Sequence, residues 1–131
     1  MAPLNADREH PTEESVLSLE DGWLFLRHKG LHENRPVILF LHGLGESGLC
    51  FEEALHTPAL TGYSLVVPDM IGYGRSSRAS GGDYSMETQV RRLWRLVDHL
   101  EVRSFFLVGH SLGGDLASLM SAGDTARRIR G

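Results

Sequence analysis

A chain of 131 residues with a formal net charge of −4 has the size of one domain, long enough to bury about two thirds of its unfolded surface. Its arginines are dispersed, so no basic face for nucleic acid is expected, and its longest apolar run, Val37 to Leu41, is far too short to span a bilayer. A single cysteine, Cys50, excludes an internal disulfide and fits a reducing compartment; with no signal-peptide core at the start, cytoplasmic residence is the default.

Residues 1–14 are polar and acidic, carry Pro3 and Pro11, and are expected to form a flexible leader to a domain running from 15 to 131. Ser15 to Leu19 and Gly22 to His28 read as two strands joined by a tight turn at Glu20-Asp21-Gly22. After a polar connection from Gly30 to Pro36, Val37 to Leu41 is continuously apolar and belongs in the centre of a parallel sheet covered on both faces. Gly48 to Leu60 is expected to be a crossover helix, with Phe51, Ala54 and Leu55 at helical spacing and Pro58 at its end. Cys50 within it reads as a small packing residue. Ser64 to Pro68 is the next parallel strand, and Ser80 to Asp83 a loop.

Tyr84 to Glu101 then carries Met86, Val90, Leu93, Val97 and Leu100 at three- and four-residue steps, with Ser85 suited to the N-cap. Arg91, Arg92 and Arg95 on this helix are expected on a solvated face, as are Arg127, Arg128 and Arg130 at the end of the chain. Between these clusters, Phe105 to Val108 has the composition of a buried strand and Leu112 to Ala122 that of a helix.

Ser111 stands at the corner between that strand and that helix, in Gly109-His110-Ser111-Leu112-Gly113. A sharp strand-to-helix turn forces its central residue into a strained backbone conformation, and side chains two positions away on either side would collide, so glycine is needed at Gly109 and Gly113. The turn holds a hydroxyl at the C-terminal edge of a sheet beside helix N-terminal N–H groups, which suits a nucleophile that needs exposure, direction and oxyanion donors. Taken alone, the same five residues also fit a glycine-rich turn with a helix-capping serine.

Two upstream segments supply context: Leu39-Phe40-Leu41-His42-Gly43-Leu44-Gly45, a strand entering a glycine turn, and Val66-Val67-Pro68-Asp69-Met70-Ile71-Gly72-Tyr73-Gly74-Arg75-Ser76, another. With H-G-x-G, D-x-x-G-x-G-x-S and G-x-S-x-G-G in this order, the chain from about 15 to 131 resembles the α/β-hydrolase family with a serine nucleophile. The resemblance implies an α/β fold, a mostly parallel sheet with antiparallel N-terminal strands and helices on both faces. It implies Ser111 as nucleophile and the main-chain N–H groups of Leu44 and Leu112 as oxyanion donors, acting on an ester, thioester or related acyl bond of a small molecule. It also implies supporting roles for His42, in its loop, and Asp69, in its turn. Serine at 111 argues against the dehalogenase and epoxide-hydrolase branches, whose nucleophile in that turn is a carboxylate. Asp115, one turn beyond Ser111, is expected to complement the positive helix end.

The chain departs from the family pattern after Ser111. The family order is serine, acid, histidine, whereas all seven histidines here precede the serine, and His110 flanks the turn in a direction unsuited to taking its proton. An N-terminal portion of the fold, ending after the nucleophile helix, is therefore expected. Without a base such a chain should lose on the order of 10⁶ in kcat. The strand Phe105 to Val108 would be an exposed edge, inviting aggregation or self-association. A non-catalytic protein keeping the fold for binding is the alternative. The histidines lack metal-ligand spacing and the glycines do not form a dinucleotide fingerprint, so neither metal nor cofactor is expected.

Overall fold

The computed structural model describes residues 11–131. Most of the leader expected over 1–14 therefore lies outside the described residues. β1 (Glu13–Leu19) begins two residues ahead of its expected start and pairs antiparallel with β2 (Gly22–Lys29) across the anticipated turn, with Ser15 opposite Leu26. β3 (Val37–Leu41), β4 (Ser64–Pro68) and β5 (Phe105–Gly109) are parallel, and the sheet order is β1-β2-β4-β3-β5, with β2 joining β4 antiparallel.

The unbroken apolar character of β3, and of Leu65 to Pro68 in β4, follows from burial on both faces. Leu39, Leu41 and Val66 pack with Leu93, Leu96 and Val97 of α2 (Met86–His99) and with Leu116 and Met120 of α3 (Leu112–Ala122). The alternate residues Ile38, Phe40, Leu65 and Val67 meet Leu55 of α1 (Glu52–His56) on the other side. Each such side chain, fully buried, contributes about 1.5–3 kcal/mol. This core fixes the end of the sheet from which the turns after β3, β4 and β5 project.

The single crossover helix expected over Gly48 to Leu60 is instead three pieces: a 3₁₀ turn at Gly48–Phe51, α1, and a second 3₁₀ turn at Pro58–Leu60. Two local effects break it. The Gly48 N–H donates to Asp69 Oδ1 at 2.7 Å, and Ser47 Oγ accepts from Leu49 N–H, so the first turn is tied to the loop after β4. Pro58 lacks an N–H and disfavours helix before it, leaving Thr57 extended at φ −74°, ψ 132°. Cys50 is exposed rather than packed, and partial burial with the Glu46 carboxylate nearby raises its thiol pKa.

α2 begins as its sequence indicates, with Ser85 Oγ accepting from Thr88 N–H. Asp83 supplies the carboxylate that Thr88 cannot: it accepts from the Ser85 N–H at 2.9 Å and the Thr88 hydroxyl at 2.7 Å, and these bonds hold its pKa down at about 2. Two arginines expected on solvated faces are tied down instead. Arg92 is 4% exposed and joins α2 to the β1–β2 turn at Asp21, to Gln89 Oε1 and to the Asp83 carbonyl. Arg128 bonds Asp98 and the Val102 carbonyl, and its guanidinium lies over the Trp94 ring.

The outer edge of β5 is partly covered, contrary to the exposed strand expected over Phe105 to Val108. The Phe105 N–H donates to the Arg128 carbonyl, Arg130 N–H returns to the Phe105 carbonyl, and Leu107 N–H reaches the Gly131 carbonyl at 2.7 Å. Chain beyond α3 thus runs parallel to β5, and only Val108, 40% exposed, and Gly109 lie past it. No described helix is long and apolar enough to cross a membrane.

Candidate active site

Ser111 sits between β5 and α3 at φ 58°, ψ −121°, one of the few non-glycine residues with positive φ. This conformation costs of order 1–3 kcal/mol and persists only where the surroundings enforce it. The enforcement is visible in the glycines. A Cβ at Gly109 would lie 2.4 Å from the Gly113 carbonyl oxygen, and one at Gly113 only 2.0 Å from that of Leu41, so the first turn of α3 packs directly on the ends of β5 and β3. The expected collision is thus partly with the neighbouring strand, beyond the turn itself. Ser111 is exposed, caps nothing, and its Oγ takes no hydrogen bond among the described residues.

The His42–Gly45 turn abuts this corner: a Cβ at Gly43 would meet Ser111 Cβ at 2.9 Å and the His110 carbonyl oxygen at 3.1 Å. Among the described residues, the N–H groups of Leu44 and Leu112 have no hydrogen-bond partner, while those of Gly113, Gly114 and Asp115 are spent on the turn and first helical bonds. The structure therefore brings Ser111, Leu44 and Leu112 into one corner with two main-chain donors free. The Leu44 side chain is 72% exposed beside it.

His42 is 1% exposed and fully engaged. Its Nε2 accepts from Met70 N–H at 2.9 Å, so Nδ1 carries the ring proton and donates to the Gly43 carbonyl at 2.9 Å. A neutral ring with both nitrogens committed links the β3 and β4 turns and leaves none for Ser111. Asp69, also buried, does more than hold its own turn. Oδ1 accepts from Gly48 N–H and from Arg27 Nη1 at 3.0 Å, while Oδ2 accepts from Arg75 N–H at 2.8 Å. It anchors β2, the turn after β3 and the turn after β4 at one point.

His110 turns to Glu46, with Nδ1 2.9 Å from Oε1, and the same oxygen accepts from Gly43 N–H at 2.9 Å. The His110 bond, then that of Gly43, lowers the Glu46 pKa. Sequence reading missed Glu46; the available signal was an acid three residues past Gly43, which reads equally as an exposed loop residue. Asp115 lies exposed in the first turn of α3. No group of three or more metal-ligating side chains occurs among the described residues.

A family model described as "alpha/beta hydrolase fold" matches residues 36–130. Over 97 residues the chain is 35% identical to the "Magnesium-chelatase 30 kDa subunit" of Rhodobacter capsulatus, covering 73% of this chain and 34% of that protein. Over 81 residues it is 37% identical to an "Epoxide hydrolase" of Caballeronia sordidicola, covering 60% of this chain and 24% of the other. The solved "Thioesterase Domain From Curacin Biosynthetic Pathway" aligns with a TM-score of 0.80 at 32% identity, covering 91% of this chain and 42% of that one. The chain spans about a quarter to a third of the length of the curated relatives it matches.

Proposed function

The chain belongs to the α/β-hydrolase fold family, and from that premise we propose that it carries the nucleophile half of a serine hydrolase acting on an ester, thioester or related acyl bond of a small molecule. The observation that carries the reading is Ser111 itself: a hydroxyl without a hydrogen-bond partner among the described residues, held at φ 58° between two glycines whose replacement by any side chain is sterically barred. Ser111 Oγ adds to the acyl carbonyl, and the N–H groups of Leu44 and Leu112 bond the oxygen as it becomes negative. Main-chain donors suit this because they do not reorganise as charge develops.

The proton on Ser111 needs a base. His42 is neutral and doubly bonded, and His110 is bonded to Glu46. The family order of serine, acid and histidine implies a base later in sequence than Ser111, a histidine oriented by a carboxylate, acting first as base and then as acid to the leaving group. A serine oxygen at 111 favours acyl transfer over the carboxylate-nucleophile chemistry of the epoxide-hydrolase branch, despite the likeness to proteins of that name. No cofactor enters this scheme.

A second reading, a non-catalytic fold kept for binding, is favoured by one observation: the engagement of both histidines beside the serine. Mixing the chain with a polypeptide covering the later strands of a full-length relative separates the two. The hydrolase reading expects ester hydrolysis to appear on mixing and to vanish with Ser111→Ala. A well-formed complex that stays inert supports the binding protein.

A further inference from the structure

Glu46 stands in the turn that carries the first oxyanion donor, yet the acyl-transfer scheme assigns it nothing. Its Oε1 accepts from Gly43 N–H and from His110 Nδ1, each at 2.9 Å. The first donor is one residue before Leu44 and the second one residue before Ser111. A single oxygen thus bridges the two loops that must stay in register for the Leu44 and Leu112 N–H groups to meet on one substrate oxygen. Register matters here because the loops already touch, with no room for a Cβ at Gly43 against Ser111. The peptide that carries the Leu44 N–H is held at its carbonyl, where Gly43 O accepts from His42 Nδ1 at 2.9 Å and from the Glu46 N–H at 3.2 Å. Glu46 Oε1 holds the preceding peptide through the Gly43 N–H, leaving the flexible Gly43 Cα as the joint between the two.

We propose that Glu46 is a positioning residue for the oxyanion site, fixing the His42–Gly43 peptide by tying its N–H to His110 and so setting the point from which the Leu44 peptide is presented to Ser111. The proposal rests on the reading of Leu44 and Leu112 as oxyanion donors. Stability is a poor explanation for the tie: the side chains of Glu46 and His110 are 31% and 65% exposed, and ion pairs so placed contribute little. Precision in the loop is what the geometry supplies. Misplacing a catalytic group by about 1 Å can cost about 100-fold, so a modest swing of Leu44 has a measurable effect.

The test compares the native chain with Glu46→Ala and Glu46→Gln, since glutamine keeps an acceptor at Oε1. Residual dipolar couplings report the orientation of the Gly43 and Leu44 N–H vectors with no catalysis required. Phenylboronic acid provides the second readout: Ser111 Oγ forms a bond to boron, the hydroxyl proton passes to the buffer, and boron becomes a tetrahedral anion resembling the oxyanion intermediate. In Glu46→Ala, the Gly43 and Leu44 couplings should shift while those of β3 and Leu112 stay native, the melting temperature should hardly change, and boronate binding should weaken about 10- to 100-fold. Glu46→Gln should restore both readouts. Native couplings at Gly43 and Leu44 in Glu46→Ala overturn the proposal. Boronate binding in the native chain that is absent, or insensitive to Ser111→Ala, counts against the oxyanion reading alone, and the couplings then decide the role of Glu46.

Discussion

At the scale of single residues, the corner at Ser111 is held by close backbone packing as well as by the main-chain hydrogen bonds of its turn, and none of these uses the Ser111 hydroxyl. Gly113 and Gly114 are neighbours in the first turn of α3, but only Gly113 faces β3: a Cβ there would lie 2.0 Å from the Leu41 carbonyl oxygen, against a nearest atom at 3.7 Å for Gly114. Gly113→Ala should therefore cost about 3 kcal/mol or prevent folding. Gly114→Ala should be neutral or stabilise by up to about 1 kcal/mol, through reduced freedom of the unfolded chain. Urea denaturation of both variants checks this, and equal losses would remove the steric argument. The motif glycines were legible in the sequence because a turn of this shape admits no side chain. Glu46 was not, since its meaning depends on His110 arriving from a different strand. Asp69 was legible only as a turn residue; its bonds to Arg27 and Gly48 join segments far apart in sequence.

Among the elements, α2 shows most plainly how local chemistry sets a boundary. The apolar stripe and Ser85 predicted its start, and the structure adds Asp83 as a second cap. Because the folded pKa of Asp83 is depressed from 3.8 to about 2, its contribution to stability is fully present above the unfolded value and is lost as pH falls from about 4 towards 2. Asp83→Asn should flatten that part of the acid-unfolding profile, followed by circular dichroism, while leaving the profile above pH 5 with a similar slope. An unchanged profile would mean the cap does not hold Asp83 ionised. α1 was misjudged for a reason of the same kind. Helical spacing of Phe51, Ala54 and Leu55 was real, but the capture of Gly48 by Asp69 and the extended Thr57 before Pro58 interrupt the backbone at both ends.

Across the whole molecule, the burial of the sheet's centre was legible because continuous apolar runs have few alternatives to a sheet covered on both faces, whereas the order of its strands, β1-β2-β4-β3-β5, was not read from the sequence. Nor was the edge: Arg128 looked solvent-facing, yet its bonds to Asp98 and Val102 dock the chain after α3 alongside β5. What stays open is the end of that strand at Val108. We predict concentration-dependent association of the 131-residue chain through this edge, seen as a rising sedimentation coefficient, and weaker association in Val108→Lys, which places a charge on the edge. A sedimentation coefficient independent of concentration would count against it. The central claim, that Ser111 is a nucleophile whose base lies elsewhere, is tested most directly by labelling with a fluorophosphonate probe and mapping the modified peptide by mass spectrometry. Mapping is needed because a different serine, Ser15, has its Oγ 2.7 Å from a histidine nitrogen, His28 Nε2. The account predicts negligible labelling of Ser111 in the isolated chain and rapid labelling once the complementary polypeptide is added. Rapid labelling of Ser111 without it, or none in the assembled pair, would contradict the claim.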